Sequence, residues 1–410
     1  MNFDRFYAER AACMKTSEIR EFFKLAEEPD VMSFAGGFPS ADYFPVAKIN
    51  EVLQELLVNE GKTALQYGPT EGSWELREYL AQKMTREGMP CSAENILITN
   101  GSQQGMDLIS KIFLNPGDVV IVEEPGYVGG LGAVYNYEAR RIPIPLDNEG
   151  MRVDILATQL RKLQMEGCTP KFAYLVPNFQ NPTGITMSLE RRQEIFRLAQ
   201  EYDFLILEDN PYGDIRFEGE PLPSIKSMDT EGRVVYLGSF SKVFLPGIRV
   251  GWIMAHEALI HKIACAKGST DLCSNSLGQR LAYHFAVNGY IEKHLQNLLS
   301  KYKAKRDLML SCMEKYFPEG VTWTYPQGGF FIWVTFPSGM SARKLLLKAI
   351  ERKVAFVDGA GFYVNDNGKN TARFAYSEAD PQKIKDGIAI LGELLHEELD
   401  SQRKYASGGF

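Results

Sequence analysis

From about residue 95 onward, short β-branched apolar runs alternate with stretches of helical periodicity. Apolar runs bounded by turn residues predict buried strands, and their alternation with helices predicts a largely parallel sheet wrapped by helices. The predicted strands are Asn95–Thr99, Val119–Glu123, Arg141–Ile144, Phe172–Val176, Phe204–Glu208, Val234–Leu237 and Arg249–Met254, with helices over Gln103–Leu114 and Leu189–Tyr202. After Met254 the texture changes. A polar–apolar helix from Tyr290 to Tyr316 carries the chain into a smaller α+β unit. Its strands are predicted at Val321–Thr324, Phe330–Phe336, Val354–Val357 and Ala372–Tyr376, its helices at Ala342–Glu351 and Pro381–Leu399. Ser401–Phe410 reads as a loose tail.

Composition narrows the function classes. The 410 residues, 45% hydrophobic and 24% charged, are those of an ordinary globular chain able to bury a large core. A net charge of −7 argues against nucleic acid or an anionic membrane as principal partner. The amino terminus lacks the apolar run of a signal peptide, and no stretch is long and apolar enough to span a bilayer. Six cysteines are scattered without a Cys-x-x-Cys pair, so reduced thiols and a cytoplasmic setting are expected. His256 and His261 have no third ligand nearby, and no metal site is expected.

In open parallel sheets, ligands collect outside the carboxyl ends of the strands, so the residues after each strand carry the candidate chemistry. After Val234–Leu237 come Ser239-Phe240-Ser241-Lys242 and, seven residues past the lysine, Arg249. Hydroxyls and a guanidinium hold a phosphate, and an amine forms an imine with a carbonyl. Together they suit pyridoxal phosphate, although a lone lysine is more often a surface charge. Asn100-Gly101-Ser102-Gln103 opens a helix whose amides and Ser102 hydroxyl suit a phosphate, or simply cap the helix. Tyr127 can stack on a flat ring or sit at a rim. Asn181, in the turn former Asn181-Pro182-Thr183-Gly184, can hold a ring hydroxyl. Asp209 beside a pyridine nitrogen would keep the ring protonated, and Tyr212 could hydrogen-bond the ring hydroxyl. Each feature alone has an ordinary structural explanation. Five strand ends offering parts of one cofactor site do not.

With these motifs in this order, and Arg249 in Gly247-Ile248-Arg249-Val250-Gly251, the chain resembles over nearly its full length the fold type I pyridoxal-phosphate aminotransferases of class I/II. The segment Ser17–Lys24 is similar to that of the 2-aminoadipate and kynurenine aminotransferase subgroup. The resemblance implies an α/β large domain over 49–290 with a seven-stranded, mostly parallel sheet, and a small α+β domain over 291–410. It also implies an N-terminal arm and lid segment over 1–48 that contributes to the small domain, and a homodimer with shared active sites. Lys242 is implied as the cofactor-bearing lysine, Asp209 as partner of the pyridine nitrogen, and Tyr127 as the stacking ring. Asn181 and Tyr212 would meet the ring hydroxyl. Ser102, Gln103, Ser239, Ser241 and Arg249 would form the phosphate cup, joined by Tyr67 from the second subunit. Arg373, aided by Gly37 and Asn181, would hold the substrate α-carboxylate, and Arg20 a distal carboxylate.

The implied reaction moves an amino group from 2-aminoadipate, glutamate, or an aromatic or long-chain amino acid to a 2-oxo acid, 2-oxoglutarate, in a ping-pong cycle. A β-elimination lyase acting on cysteine conjugates shares the same groups and stands as the alternative. A non-catalytic regulator of the same fold is less favoured. About thirty residues precede Phe34, too few for a DNA-binding domain, and the chain is acidic. Tyr43, Phe44, Phe362 and Tyr363 are open between pocket lining for aromatic substrates and core.

Overall fold

The computed structural model describes residues 1, 3–14 and 30–407. After β1 (Met32–Ser33), the chain forms β2 (Ile96–Thr99), β3 (Val119–Glu124), β4 (Arg140–Asp147), β5 (Gly150–Met151), β6 (Phe172–Leu175), β7 (Leu205–Asp209), β8 (Val234–Ser239) and β9 (Gly251–Met254). Strands β2 to β9 join one sheet in the order β2-β9-β8-β7-β6-β3-β4-β5. Neighbours from β8 through to β4 pair in parallel, while β9 is antiparallel to both β8 and β2. The two-residue β5 folds back antiparallel on β4. The seven expected strands are therefore present, with β5 added at the edge. Every residue of β2, β3, β6, β8 and β9 is buried, which is why they read as continuous apolar runs without alternation.

The remaining strands are β10 (Thr322–Trp323), β11 (Phe331–Thr335), β12 (Val354–Ala355), β13 (Val357–Asp358) and β14 (Thr371–Ala375). An antiparallel sheet has the order β10-β11-β14-β13. The predicted strand Val354–Val357 divides at Phe356. Its first half, β12, pairs in parallel with β1, whereas β13 pairs with β14. The amino-terminal segment is thereby tied to the carboxyl-terminal third. A second correction concerns Arg249, expected within a strand. That strand begins at Gly251, and Arg249 lies in a turn with φ +55°. A third concerns the tail, because the last helix runs from Pro381 to Ser407. Residues 401–407 contain no helix breaker, and Gly408 and Gly409 lie outside the described residues.

Two cores result. Phe34, Met309, Met313, Ile332, Phe356, Phe374 and Leu395 cluster around the four-stranded sheet. The larger sheet is packed by apolar residues on both faces. His256 caps the helix Glu257–Gly268, its ring Nδ1 accepting from the Ala258 amide at 3.3 Å. Among the described residues no helix is long and apolar enough to cross a membrane.

Candidate active site

The carboxyl ends of β6, β7 and β8 and the start of the helix Ser102–Phe113 converge on a cavity of about 210 Å³. Gly37, Ser102, Tyr127, Asn181, Asp209, Tyr212, Lys242 and Arg373 all line it. Eight of the residues expected from sequence, spread over more than 300 positions, thus meet at one place. Gln103, Ser239, Ser241 and Arg249 stand just behind this lining. Gln103 Oε1 accepts from the Tyr127 hydroxyl at 3.4 Å, and Ser239 Oγ accepts from the Ser241 amide at 3.0 Å. Tyr67 is not brought in. It is 77% exposed and borders a separate surface hollow with Cys273–Leu277. Arg20 lies outside the described residues.

Asp209 ends β7 with only 2% of its surface exposed. Its Oδ2 accepts a hydrogen bond from the Tyr174 hydroxyl at 2.9 Å, while Oδ1 is buried with no partner among the described residues. Burial pushes its carboxyl up to about 7, opposed by Tyr174 and by the Lys242 charge. Half-buried Lys242 follows β8, its Nζ donating to the Gly37 carbonyl at 3.1 Å and lying 5.7 Å from the Tyr212 ring centre. Desolvation, with the charges of Arg373 and Arg249, lowers the ammonium to about 8. An unpartnered buried carboxylate oxygen and an amine close to its neutral form are therefore walls of one cavity.

At one end of the cavity the helix Ser102–Phe113 begins, behind Gly101 with φ +75°. The start of a helix presents free amides and positive potential. Arg249 crosses beneath this turn, its guanidinium donating to the carbonyls of Asn100 at 3.1 Å and Pro246 at 3.2 Å. At the opposite side Arg373, on β14, is buried and donates to Asn181 Oδ1 at 3.0 Å and to the Ala35 carbonyl at 2.6 Å. The rings of Phe331 and Phe362 flank its guanidinium at 4.4 and 5.2 Å. Its Nε is buried and has no partner among the described residues. A carboxylate is the natural counterpart for such a group.

Gly37 is required here by space. A Cβ at this position would stand 2.5 Å from Phe331 Cζ, so the ring would have to move. Gly37→Ala is expected to destabilise the protein by about 1 to 3 kcal/mol, the usual range for overpacking, and to raise KM by displacing Phe331 from Arg373. Urea unfolding and steady-state kinetics check this. An unchanged midpoint with unchanged KM would mean that the ring yields freely.

These residues fit pyridoxal phosphate on chemical grounds. The orphaned Asp209 Oδ1 calls for a cationic nitrogen, the helix start with Ser102 and Arg249 suits a phosphate, and Lys242 suits an aldehyde. Several contacts were not read from the sequence. Tyr174, in the middle of β6, carries the hydrogen bond to Asp209, and Phe331 and Phe38 line the cavity. Of the four aromatics left open, Phe362 lines the cavity. Tyr43 packs edge-on against Tyr302, and Tyr363 lies against Trp333.

A half-buried lysine and a buried aspartate at adjacent strand ends of such a sheet define a fold type I pyridoxal-phosphate enzyme. Residues 29–391 match the model of the family "Aminotransferase class I and II", and the chain belongs to that family. It is 45% identical to aromatic-amino-acid aminotransferase 1 of Thermococcus litoralis, over 97% of this chain and 96% of that protein. A Pyrococcus horikoshii kynurenine aminotransferase, solved in complex with PMP, with KYN as substrate and KYA as product, superposes with a TM-score of 0.94. It is 46% identical, over 97% of this chain and 98% of that one. An α-aminoadipate aminotransferase from Thermus thermophilus, complexed with N-(5'-phosphopyridoxyl)-L-leucine, gives a TM-score of 0.90 at 34% identity, over 98% and 100%. The protein is thus a pyridoxal-phosphate-dependent aminotransferase.

Proposed function

We propose that the enzyme moves the amino group of an aromatic or long-chain amino acid, and of 2-aminoadipate or glutamate, to 2-oxoglutarate in a ping-pong cycle. The observation that carries the reading is one cavity lined by Arg373, by the Lys242 amine and by Asp209, whose Oδ1 has no partner among the described residues. When bound, pyridoxal phosphate supplies an aldehyde for amines and a cationic ring that accepts the electron pair left at the substrate Cα. Asp209, at the end of β7, would hold that ring nitrogen protonated. Lys242 would hold the cofactor through its Nζ, and the same amine, when free, would be the base for the substrate Cα proton. Tyr127 would stack on the ring, Asn181 and Tyr212 would hold its hydroxyl, and Ser102, Gln103, Ser239, Ser241 and Arg249 would bind the phosphate. Arg373 grips the α-carboxylate, with Gly37 and Asn181 shaping its approach. One carboxylate clamp in one small cavity supports sequential use by donor and acceptor, hence ping-pong.

Phe38, Val128 and Phe362 give the cavity an apolar side that suits an aromatic or long aliphatic side chain. Among the described residues, its lining cations are Lys242 and Arg373. A distal carboxylate therefore needs a further cation, the role we assign to Arg20. Arg20→Ala is expected to raise KM about tenfold or more for 2-aminoadipate, the scale of a lost charged hydrogen bond, while aromatic donors change little. An equal rise for both donor classes would remove the assignment.

We also propose a homodimer, and the exposure of Tyr67 supports its use across a subunit boundary. The division into 1–48, 49–290 and 291–410 accompanies this reading. Free thiols at Cys91, Cys168, Cys265, Cys273 and Cys312 support a reducing, cytoplasmic setting. Visible absorption of the holoenzyme tests the function. A cofactor band that bleaches with particular amino acids and returns with 2-oxoglutarate is the expected result. Pyruvate released from cysteine conjugates without an acceptor would instead indicate the lyase.

A further inference from the structure

Asp271 belongs to none of the strand ends that build the cavity, yet its carboxylate is the hub of a network beneath it. Oδ2 accepts from Asn100 Nδ2 and from Gln104 Nε2, both at 2.6 Å. Lys267 Nζ donates to Oδ1 at 2.6 Å and to Oδ2 at 2.7 Å, and the Lys267 side chain is fully buried. Asn100 is held at two further atoms. Its amide donates to Gln104 Oε1 at 2.8 Å, and its carbonyl accepts from Arg249 at 3.1 Å. The next two residues are Gly101 and Ser102. Behind them Gly251 packs so closely that a Cβ there would meet the Ser102 nitrogen at 2.8 Å.

We propose that Asp271 is a positioning residue for the cofactor's phosphate, acting through Asn100 and Gln104 to fix the turn that carries Ser102 and the carbonyl that orients Arg249. This rests on the reading of Ser102 and Arg249 as parts of the phosphate cup. The charge arrangement suits the task. A bare carboxylate near a helix start would repel an incoming phosphate, but the Lys267 ammonium neutralises it while Oδ2 still accepts from both Asn100 and Gln104. The turn is thus held by charge-assisted hydrogen bonds without a net negative field at the phosphate site. An amide in place of Asp271 keeps one acceptor oxygen but replaces the other with a donor and removes the charge, so the three donors Asn100, Gln104 and Lys267 compete for one neutral oxygen.

The test compares two aldehydes that share every group except the phosphate. The full-length apoenzyme is titrated with pyridoxal phosphate and with pyridoxal, followed by absorbance. The wild type, Asp271→Asn and Asp271→Asn/Lys267→Met are compared. The double variant removes the ammonium that the single change leaves buried and uncompensated, so it carries the test if the single variant does not fold. The proposal predicts a Kd for pyridoxal phosphate raised about tenfold or more, with pyridoxal affinity altered less than about threefold. Equal losses for both aldehydes would reduce Asp271 to a general structural role, and no loss would make it a bystander. A wild-type enzyme that binds pyridoxal as tightly as pyridoxal phosphate would instead overturn the phosphate-cup reading itself.

Discussion

Lys242→Ala is expected to lower kcat by about ten-thousandfold or more, the upper range for losing a proton-transferring group, with the fold intact by circular dichroism. Among the described residues the side chain's one hydrogen bond is to the Gly37 carbonyl, and it already lines the cavity, so its removal widens that cavity and leaves no new void in the packed core. On the proposed reading, what disappears is the covalent anchor together with the base. The environment of this amine makes a second measurement possible. With its pKa lowered to about 8, about a tenth of the amines are neutral at pH 7, against roughly one in three thousand for an ordinary lysine. Capture of the aldehyde by the cofactor-free enzyme needs the neutral amine. Its rate should rise with pH and level off above about 8. A Lys242→Ala enzyme within about tenfold of wild-type turnover would defeat the assignment, as would a capture rate still climbing steeply at pH 10.

Asp209→Asn separates function from stability, with opposite signs. Turnover should fall about a hundredfold or more, the usual cost of deleting one partner of a buried charge pair, because the ring nitrogen loses its anion. Without cofactor, the same change should stabilise the fold. The carboxyl of Asp209 is raised to about 7 in the folded chain from an ordinary value of 3.8. Its folded form therefore binds the proton more tightly than the unfolded chain does. Stability from this group is complete below about pH 4 and is lost as pH climbs through 7. Asparagine escapes that loss. Cofactor-free Asp209→Asn should then melt higher than wild type at pH 8, the gap closing toward pH 4. A wild type that melts higher at pH 8 would mean that the carboxylate is already satisfied without the cofactor.

Most parts of this site that were legible in the sequence follow a run of apolar residues that reads as a buried strand, whereas Arg373, inside a strand, and Gly37 came from the resemblance. Lys242 after Val234–Leu237 and Asp209 after Phe204–Glu208 are of this kind. Tyr174 was not legible because it lies inside such a run, where an aromatic residue reads as core, and its hydroxyl has meaning only once β7 is known to lie beside β6. Phe331 and Asp271 escaped for a related reason. Their partners, Arg373 with Gly37 and Asn100 with Gln104, are far away in the chain, and local periodicity carries no record of such contacts. The same limit explains Val354–Val357, read as one strand although its halves pair with different partners. The register of β1 was decided by tertiary pairing. Arg249 was misplaced because the pattern Arg-Val-Gly-Trp-Ile-Met resembles a strand start, whereas its positive φ turns the guanidinium back beneath Asn100.

The helix Tyr290–Tyr316 belongs to both cores at once. Ile291, Leu298 and Tyr302 are buried with the large sheet, and Met309, Leu310 and Met313 with the small one. A single run of hydrogen-bonded turns, about 40 Å long at 1.5 Å per residue, therefore ends one hydrophobic cluster and begins the other. Melting either cluster would strip one half of this rod of its packing and fray it into the other half. Heat should then take the chain apart in one cooperative transition, so that the part that carries Arg373 and the part that carries Lys242 share a single melting temperature.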